Sequence, residues 1–353
     1  MGKGMEERKN IGVLFGGCSP EYKVSMESAY AVISHMDREK YHPVLIGISS
    51  GGEWFYYTGG AEKIAEDGWK NGEDCVPAVL CCSRENPGLL VPCGEGMKRI
   101  RMDAAFPVLH GRNGEDGTVQ GLFELAGIPL AGCGVLSSAL CMDKDRAHKL
   151  VRMEGIRVPA SFVLHRGVKG EEALAQAGKL GFPLFVKPVR AGSSYGITRV
   201  TQEAHFPEAL RLAFAYDDQV ILEECIPGFE VGCAVLGNEK LIVGEPDEIE
   251  LSGGFFDFTE KYTLRTSAIH VPARIPEEKK EELRQTARRI YRALDCRGFA
   301  RVDMFLEPSG EIVFNEVNTI PGFTAHSRYP GMMKAAGMSF EQLVSAVIEL
   351  ALE

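Results

Sequence analysis

The sequence predicts an α/β protein, α+β in parts, made of three units, and three stretches carry that prediction. Residues 11–15 are a short β-prone run that stops at Gly16-Gly17 and passes through a polar turn into the helix-like stretch 21–35. Strand, turn and helix in that order open a doubly wound α/β unit. Residues 182–187 read as a strand ending in Lys187, followed by the small-residue loop Ala191-Gly192-Ser193-Ser194 and a return to extended chain at 197–200. Finally, an amphipathic helix leads into two strands joined by Glu307-Pro308-Ser309-Gly310, with acidic and amide side chains on one face. The units implied are residues 1–136, 137–229 and 230–353.

Each element has a local reason. Residues 41–49 form a second strand, and 54–101, rich in Gly and Pro, an excursion of loops and short strands. Residues 104–109 are a buried-type strand, followed by His110-Gly111-Arg112-Asn113-Gly114-Glu115-Asp116-Gly117 and a helix over 118–126. Ligands of open α/β sheets sit beyond the carboxyl ends of strands, so this loop and the one at Gly16-Gly17 face a cleft. In the second unit 144–153 is helical and 220–224 is a strand leading to Pro227-Gly228. The third holds the polar–aromatic stretch 247–270, then a helix begun by Pro276 and four Glu, with Leu283, Ala287, Ile290, Tyr291 and Leu294 as its apolar stripe.

Composition narrows the functions available. The 39 Lys+Arg against 49 Asp+Glu leave a formal charge of −10, so nonspecific nucleic-acid binding is disfavoured while a local basic pocket remains open. Ten cysteines contain no C-x-x-C pair, which removes a zinc or disulfide framework and fits reduced thiols in a cytoplasmic protein. No apolar run approaches the ~18 residues that span a membrane, and the N-terminus lacks a signal-peptide core.

The chemistry concentrates on the hairpin. Strand alternation puts Ala300, Val302 and Met304 on one face of 299–305, with Arg301 and Asp303 on the other. In 311–318 the same alternation puts Ile312, Phe314, Glu316 and Asn318 together. Pairing the polar sets gathers two carboxylates and an amide oxygen, the hard donors that Mg²⁺ requires, beside a cation suited to polyphosphate. An exposed salt-bridged hairpin is the plain alternative, and the rigid Thr319-Ile320-Pro321-Gly322-Phe323 turn argues against it. Lys187 and its small-residue loop supply a second phosphate feature, although no Walker A pattern occurs. The same loop matches G-x-S-x-G at Gly192, Ser194 and Gly196, which raises a serine hydrolase as a rival. A nucleophile elbow needs a helix straight after the serine, and here the chain continues as strand.

Together these motifs resemble the ATP-grasp superfamily, specifically the D-alanine–D-alanine ligase family, over nearly the whole chain. The most specific pieces are His110-Gly111 with Gly114-Glu115-Asp116-Gly117, Met142-Asp143-Lys144, Lys187-Pro188 with Gly192-Ser193-Ser194, and Glu316-Val317-Asn318-Thr319 with Pro321-Gly322. The resemblance implies an ATP-grasp fold with nucleotide between the second and third units. It places Lys144 and Lys187 on the ATP phosphates, Ser193 (also a catalytic residue) and Ser194 in the loop that covers them, Lys261 among the cofactor-binding residues, Glu223, Cys225 and Ile226 at the adenine, and Glu230 at the ribose. Two Mg²⁺ ions, or Mn²⁺, would be held by Asp303, Glu316 and Asn318. Glu21 would receive the ammonium of the first D-amino acid near His110, Arg301 and the Gly322 N–H would face the oxyanion, and Ser327 would meet the second carboxylate. The lid of the family corresponds to about 247–270, with Tyr262 in its catalytic part. The partners implied are small D-amino acids, with no nucleic acid or membrane, and a homodimer.

The second substrate depends on a few positions. Tyr262 stands where lactate-using relatives carry histidine, which favours an amine nucleophile. Arg328, with Phe256 and Asp247, resembles the vancomycin-resistance ligases that make D-alanyl-D-serine, most closely the G type. A pocket built to hydrogen-bond a hydroxyl can reject its absence by roughly 10⁴–10⁵, whereas an apolar one rejects an added hydroxyl only about 10²-fold. The expectation is therefore D-Ala joined to D-Ser through an acyl phosphate, giving a cell-wall precursor dipeptide. D-Ala–D-Ala synthesis is the alternative, and a catalytically inactive ATP-grasp binding protein the distant one.

Overall fold

The computed structural model describes residues 8–192, 194–251 and 267–353. The first sheet is built on β1 (Lys9–Gly16), whose apolar run is buried on both sides, as parallel strands demand. It pairs in parallel with β2 (Tyr41–Ile48) and, on its other edge, with a later strand. Helix α1 (Tyr22–Ser34) covers one face with Met26, Ala29, Val32 and Ile33. The chain from 54 to 101 makes β3 (Trp54–Tyr57), the short α2 (Glu62–Ala65), β4 (Cys75–Pro77), β5 (Val79–Cys81), β6 (Gly88–Cys93) and β7 (Gly96–Ile100). With β8 (Ala104–Pro107) the sheet order is β4-β3-β2-β1-β8, and β5-β6-β7 form a separate three-stranded sheet. Helix α3 (Thr118–Ala126) follows the glycine-rich loop.

Two helices, α4 (Val135–Met142) and α5 (Lys144–Met153), lead to the second sheet. That sheet contains β9 (Ser161–His165), β10 (Leu184–Pro188), β11 (Thr198–Val200) and β12 (Gln219–Glu224), all antiparallel in the order β11-β10-β12-β9. Helices α6 (Gly170–Leu180) and α7 (Phe206–Ala213) pack Ala173, Ala177, Phe206 and Ala209 on it. After Ser194 the chain enters β11, so the helix that a nucleophile elbow needs does not follow the serine.

The third sheet takes β13 (Phe229–Leu236), β14 (Ile242–Val243), β15 (Asp247–Leu251), β16 (Ser267–His270), β17 (Phe299–Leu306) and β18 (Ile312–Asn318). Its order is β16-β15-β13-β17-β18, with β14 beside β13. The apolar stripe Leu283, Ala287, Ile290 and Tyr291 of α8 (Glu277–Ala293) packs on it, as do Ala147 and Val151 of α5. The last helices, α9 (Arg328–Ala335) and α10 (Phe340–Leu352), turn the other way. Their Tyr329, Met332, Val344 and Val347 join Ile11, Val13 and Phe15 of β1 in one core, which fixes the first and third units to each other. Among the described residues no single helix is long and apolar enough to cross a membrane, and the one pair that qualifies by length and composition is bent by 105°.

The hairpin corrects one expectation. Asp303 pairs with Glu316 and Arg301 with Asn318, but the register shifts so that Met304 pairs with Phe314. Asn315 is thus the extra residue of a β-bulge, and the bulge lets residues two apart face opposite ways. Ile312 and Phe314 join the apolar core with Met304, while Glu316 and Asn318 lie on the polar face. The bulge carbonyl is satisfied by buried His148 of α5, whose Nε2 donates to Asn315 O at 2.9 Å. Burial holds that imidazole below its usual pKa, so it is the neutral ring that serves. Replacing His148 with Phe keeps the ring volume and deletes the donor. Urea unfolding should then show a loss of about 1–3 kcal/mol, the cost of a buried carbonyl left unpaired; an unchanged midpoint would show that the bulge does not rely on this bond.

Candidate active site

Two adjoining clefts meet at the β17–β18 hairpin. The polar face of the hairpin is a tight network around Asp303, which is 1% exposed. Its carboxylate accepts from Arg301 Nε at 2.8 Å, Arg301 Nη2 at 2.7 Å and Asn318 Nδ2 at 2.8 Å. Glu316, opposite Asp303 in register, has its Oε2 3.4 Å from Lys144 Nζ, and Lys144 also donates to the carbonyl of Ala191 at 3.1 Å. Among the described residues no three His, Cys, Asp or Glu side chains group as a metal site. The donor set is two carboxylates and one amide. That fits Mg²⁺, which usually keeps several waters and takes the remaining oxygens from substrate phosphates rather than from an all-protein cage.

A second buried cation extends this network. Arg328, at the start of α9, grips Asp247 with Nε at 2.7 Å and Nη2 at 2.8 Å. Its Nη1 donates to Glu230 at 2.7 Å, and Nη2 lies 3.4 Å from Asp303 Oδ1. Arg328 therefore has carboxylate partners already, besides lining the cleft that contains Glu21 and His110. Strand register explains why they converge. Gly232 on β13 pairs with Asp247 on one side and Asp303 on the other, so both acids flank a residue without a side chain. A Cβ at 232 would stand 2.5 Å from Arg328 Nη2 and 2.7 Å from Asp247 Oδ1, so only glycine leaves room for the guanidinium.

One cleft, about 300 Å³, lies between the second and third sheets and is lined by Lys187, Glu223, Cys225, Ile226, Glu230 and Phe305, among others. Lys187 Nζ donates to Glu223 Oε2 at 2.6 Å across the adjacent strands β10 and β12. Burial pushes the Glu223 carboxyl up, but Lys187, His148 and Lys144 outweigh it and hold the group below its usual range. Its Oε1 is buried without a hydrogen-bond partner, an acceptor that fits a donor such as the exocyclic amine of adenine. Lys144 lines both clefts, and Ser194, in the left-handed region at φ 59°, lines this one.

The other cleft, about 320 Å³, brings Glu21, His110, Arg301, Gly322, Ser327 and Arg328 together. The Glu21 carboxylate lies against two glycines. A Cβ at Gly111 (φ +71°) would stand 2.8 Å from its Oε2, and one at Gly192 would stand 3.4 Å away. At Gly322 a Cβ would come within 2.9 Å of Ser327 Oγ, which accepts from Thr324 N at 3.0 Å. His110 is 5% exposed and burial keeps its ring neutral, against the pull of Glu21.

Glu115, in the same wall, is the residue that sequence reading missed as a site group. Its Oε2 accepts from Gly111 N at 2.8 Å and its Oε1 from Ile320 N at 3.0 Å. Desolvation, then the neighbouring Glu21, push its carboxyl up to about 8, against the pull of those two N–H groups and Arg301. The signal was present, because Glu115 sits inside the loop read for its glycines. Of the other predicted site residues, Ser193, Phe256, Lys261 and Tyr262 lie outside the described residues.

The family described as "D-ala D-ala ligase N-terminus" matches residues 10–133, and that described as "D-ala D-ala ligase C-terminus" matches 150–349. A Streptomyces coelicolor protein, provisionally named a D-alanine–D-lactate ligase, is 45% identical over 98% of each chain. The vancomycin B-type resistance protein VanB of Enterococcus faecalis is 44% identical over 97% of this chain and 98% of its own. The crystal structure of the VanG D-Ala:D-Ser ligase from Enterococcus faecalis superposes with a TM-score of 0.91 at 54% identity, covering 98% of this chain and 100% of that one.

The Glu115 environment predicts a pH effect. Its folded-state pKa lies above the unfolded value, so the neutral carboxyl contributes stability that is full below about pH 4.5 and is lost as pH rises through about 8. The melting temperature of the ligand-free protein should fall more steeply over that window than that of Glu115→Gln. Parallel curves would show that Glu115 does not titrate there.

Proposed function

This chain belongs to the D-alanine–D-alanine ligase family, and we propose that it joins D-Ala to D-Ser. It is an ATP-using ligase that acts on small D-amino acids, as its family is. The observation that carries the choice of D-Ser is Arg328, a buried guanidinium fixed by Asp247 and Glu230 in the cleft that also holds Ser327. A pocket that must prefer the hydroxylated substrate needs a polar group of fixed orientation, and a cation held by two carboxylates supplies one. The serine hydroxyl would be reached through this cluster, directly or by way of a water on its carboxylates.

The residues divide the work by position. Lys144 and Lys187, with the Ser193–Ser194 loop, would bind the phosphates of ATP. Glu223, Cys225 and Ile226 would bind the adenine, and Glu230 the ribose. Mg²⁺ held by Asp303, Glu316 and Asn318, as two ions in our reading, would neutralise phosphate charge. Glu21 would hold the ammonium of the first D-Ala, placing its carboxylate toward the γ-phosphate. Attack there gives an acyl phosphate and ADP. The amine of the second substrate then adds to the carbonyl, forming the C–N bond, and phosphate leaves with the C–O bond electrons. As the tetrahedral centre forms, charge gathers on the carbonyl oxygen, where Arg301 and the Gly322 N–H would meet it. No side-chain nucleophile is required, since positioning and charge neutralisation carry the rate. Tyr262 and Phe256, which the family resemblance assigns to the lid, would help exclude water from the acyl phosphate.

The test is ATP-dependent phosphate release with D-Ala alone, with D-Ala plus D-Ser and with D-Ala plus D-lactate, the products identified by mass. D-Ala–D-Ser should dominate when D-Ser and D-Ala compete at equal concentration; mainly D-Ala–D-Ala, or the D-lactate ester, would refute the assignment. The double variant Arg328→Met with Asp247→Asn removes the buried Asp247 charge together with the guanidinium that grips it. It should lower the D-Ser over D-Ala ratio of kcat/KM by about 10²-fold or more. An unchanged ratio would move selectivity away from Arg328.

A further inference from the structure

The turn Ile320-Pro321-Gly322-Phe323 leaves the reactive hairpin, yet its hydrogen bonds go to the first unit. At one end Ile320 N donates to Glu115 Oε1 at 3.0 Å, and Ile320 O accepts from His110 Nδ1 at 2.8 Å. At the other end Phe323 N donates to the Oγ of Ser28, on α1, at 3.1 Å. Ser28 Oγ lies 3.4 Å from His110 Nε2, which closes the circuit. The neutral His110 ring has its Nδ1–H committed to the Ile320 carbonyl, so Nε2 is the acceptor and the Ser28 hydroxyl donates to it. Pro321 has no N–H, and the Gly322 N–H is bonded to no other described residue. Gly322, which lines the cleft, thus stands between two amides tied to the first unit.

We propose that Ser28 is a positioning residue for the peptide-forming step: through Phe323 and His110 it sets where the Gly322 N–H stands over the reacting carbonyl. The inference rests on the ligase reading above and deepens it. The Phe323 side chain is anchored separately, 5.7 Å from the Phe106 ring and 5.6 Å from Phe299 between centroids. Loss of the Ser28 hydroxyl should therefore loosen the backbone of the turn without unpacking it. The two chemical steps respond differently. When the carboxylate attacks phosphorus it gives up charge, and when the amine adds, charge becomes concentrated on one carbonyl oxygen. A displaced donor weakens the second step more.

The experiment uses the full chain with Ser28→Ala and Ser28→Cys, the latter retaining a weak donor and acceptor in the same place. The first step is read by D-Ala-dependent scrambling of ¹⁸O from the β–γ bridge of ATP, the second by dipeptide formation, and folding by thermal melting. In Ser28→Ala, scrambling and the KM for the first D-Ala should stay within about threefold of the parent. Its dipeptide kcat should fall about 10- to 100-fold, less than the loss of a whole oxyanion donor, with Ser28→Cys in between. Scrambling and dipeptide formation falling in proportion in both variants, or a kcat within about twofold of the parent, would overturn the proposal. A parent protein with neither D-Ala-dependent scrambling nor dipeptide would instead bring down the ligase reading, and this inference with it.

Discussion

One buried carboxylate organises this molecule. Asp303 is nearly inaccessible and receives Arg301, Asn318 and the approach of Arg328. An ionised group is stable out of water only when paired and hydrogen-bonded, so each partner is also a constraint on where the others stand. Arg301 carries the constraint toward the cleft of Glu21, and Asn318 and Glu316 carry it along the hairpin. Arg328 carries it to Asp247 and Glu230. Two guanidiniums thus face three carboxylates in this cluster, a negative excess that suits a site for a divalent cation.

Around that network the fold acts as a frame. The first and third units share one hydrophobic core, through Phe15 and Ile11 on one side and Tyr329 and Val344 on the other. Glu21 and His110 from the first unit and Arg301 and Ser327 from the third line one cleft between them. The second sheet has a core of its own and contributes one wall of the other cleft through Lys187 and Glu223. Lys144, at the start of α5, touches both clefts and the Glu316 carboxylate, so it links the two.

Much of this was legible in the sequence because period-2 alternation and strand–turn–helix order are local. The strands at 41–48 and 219–224, the helix at 144–153 and the polar set of Arg301, Asp303, Glu316 and Asn318 followed from neighbours alone. Alternation failed at Asn315, because a bulge adds a residue without any mark in composition and reveals itself only in the pairing with β17. The Arg328 partners lie 81 and 98 residues away, so its ion pairs could not be read locally; the resemblance grouped it with Asp247 without saying that the two touch. Gly232 gave no hint either, since the need for its missing side chain arises from strands on both sides. Glu115 and Ser28 were hidden in another way. Each sits in a segment whose glycines or apolar stripe already explained it, and their bonds reach across to residues 320–323.

The central claim is that the polar face of the hairpin receives ATP through a divalent cation. The most direct check is calorimetric titration of a non-hydrolysable ATP analogue into the parent protein and Glu316→Gln, with and without Mg²⁺. The account predicts that Mg²⁺ tightens binding to the parent about tenfold or more, and that Glu316→Gln loses most of this gain while its metal-free affinity changes little. An equal gain from Mg²⁺ in both proteins would contradict it.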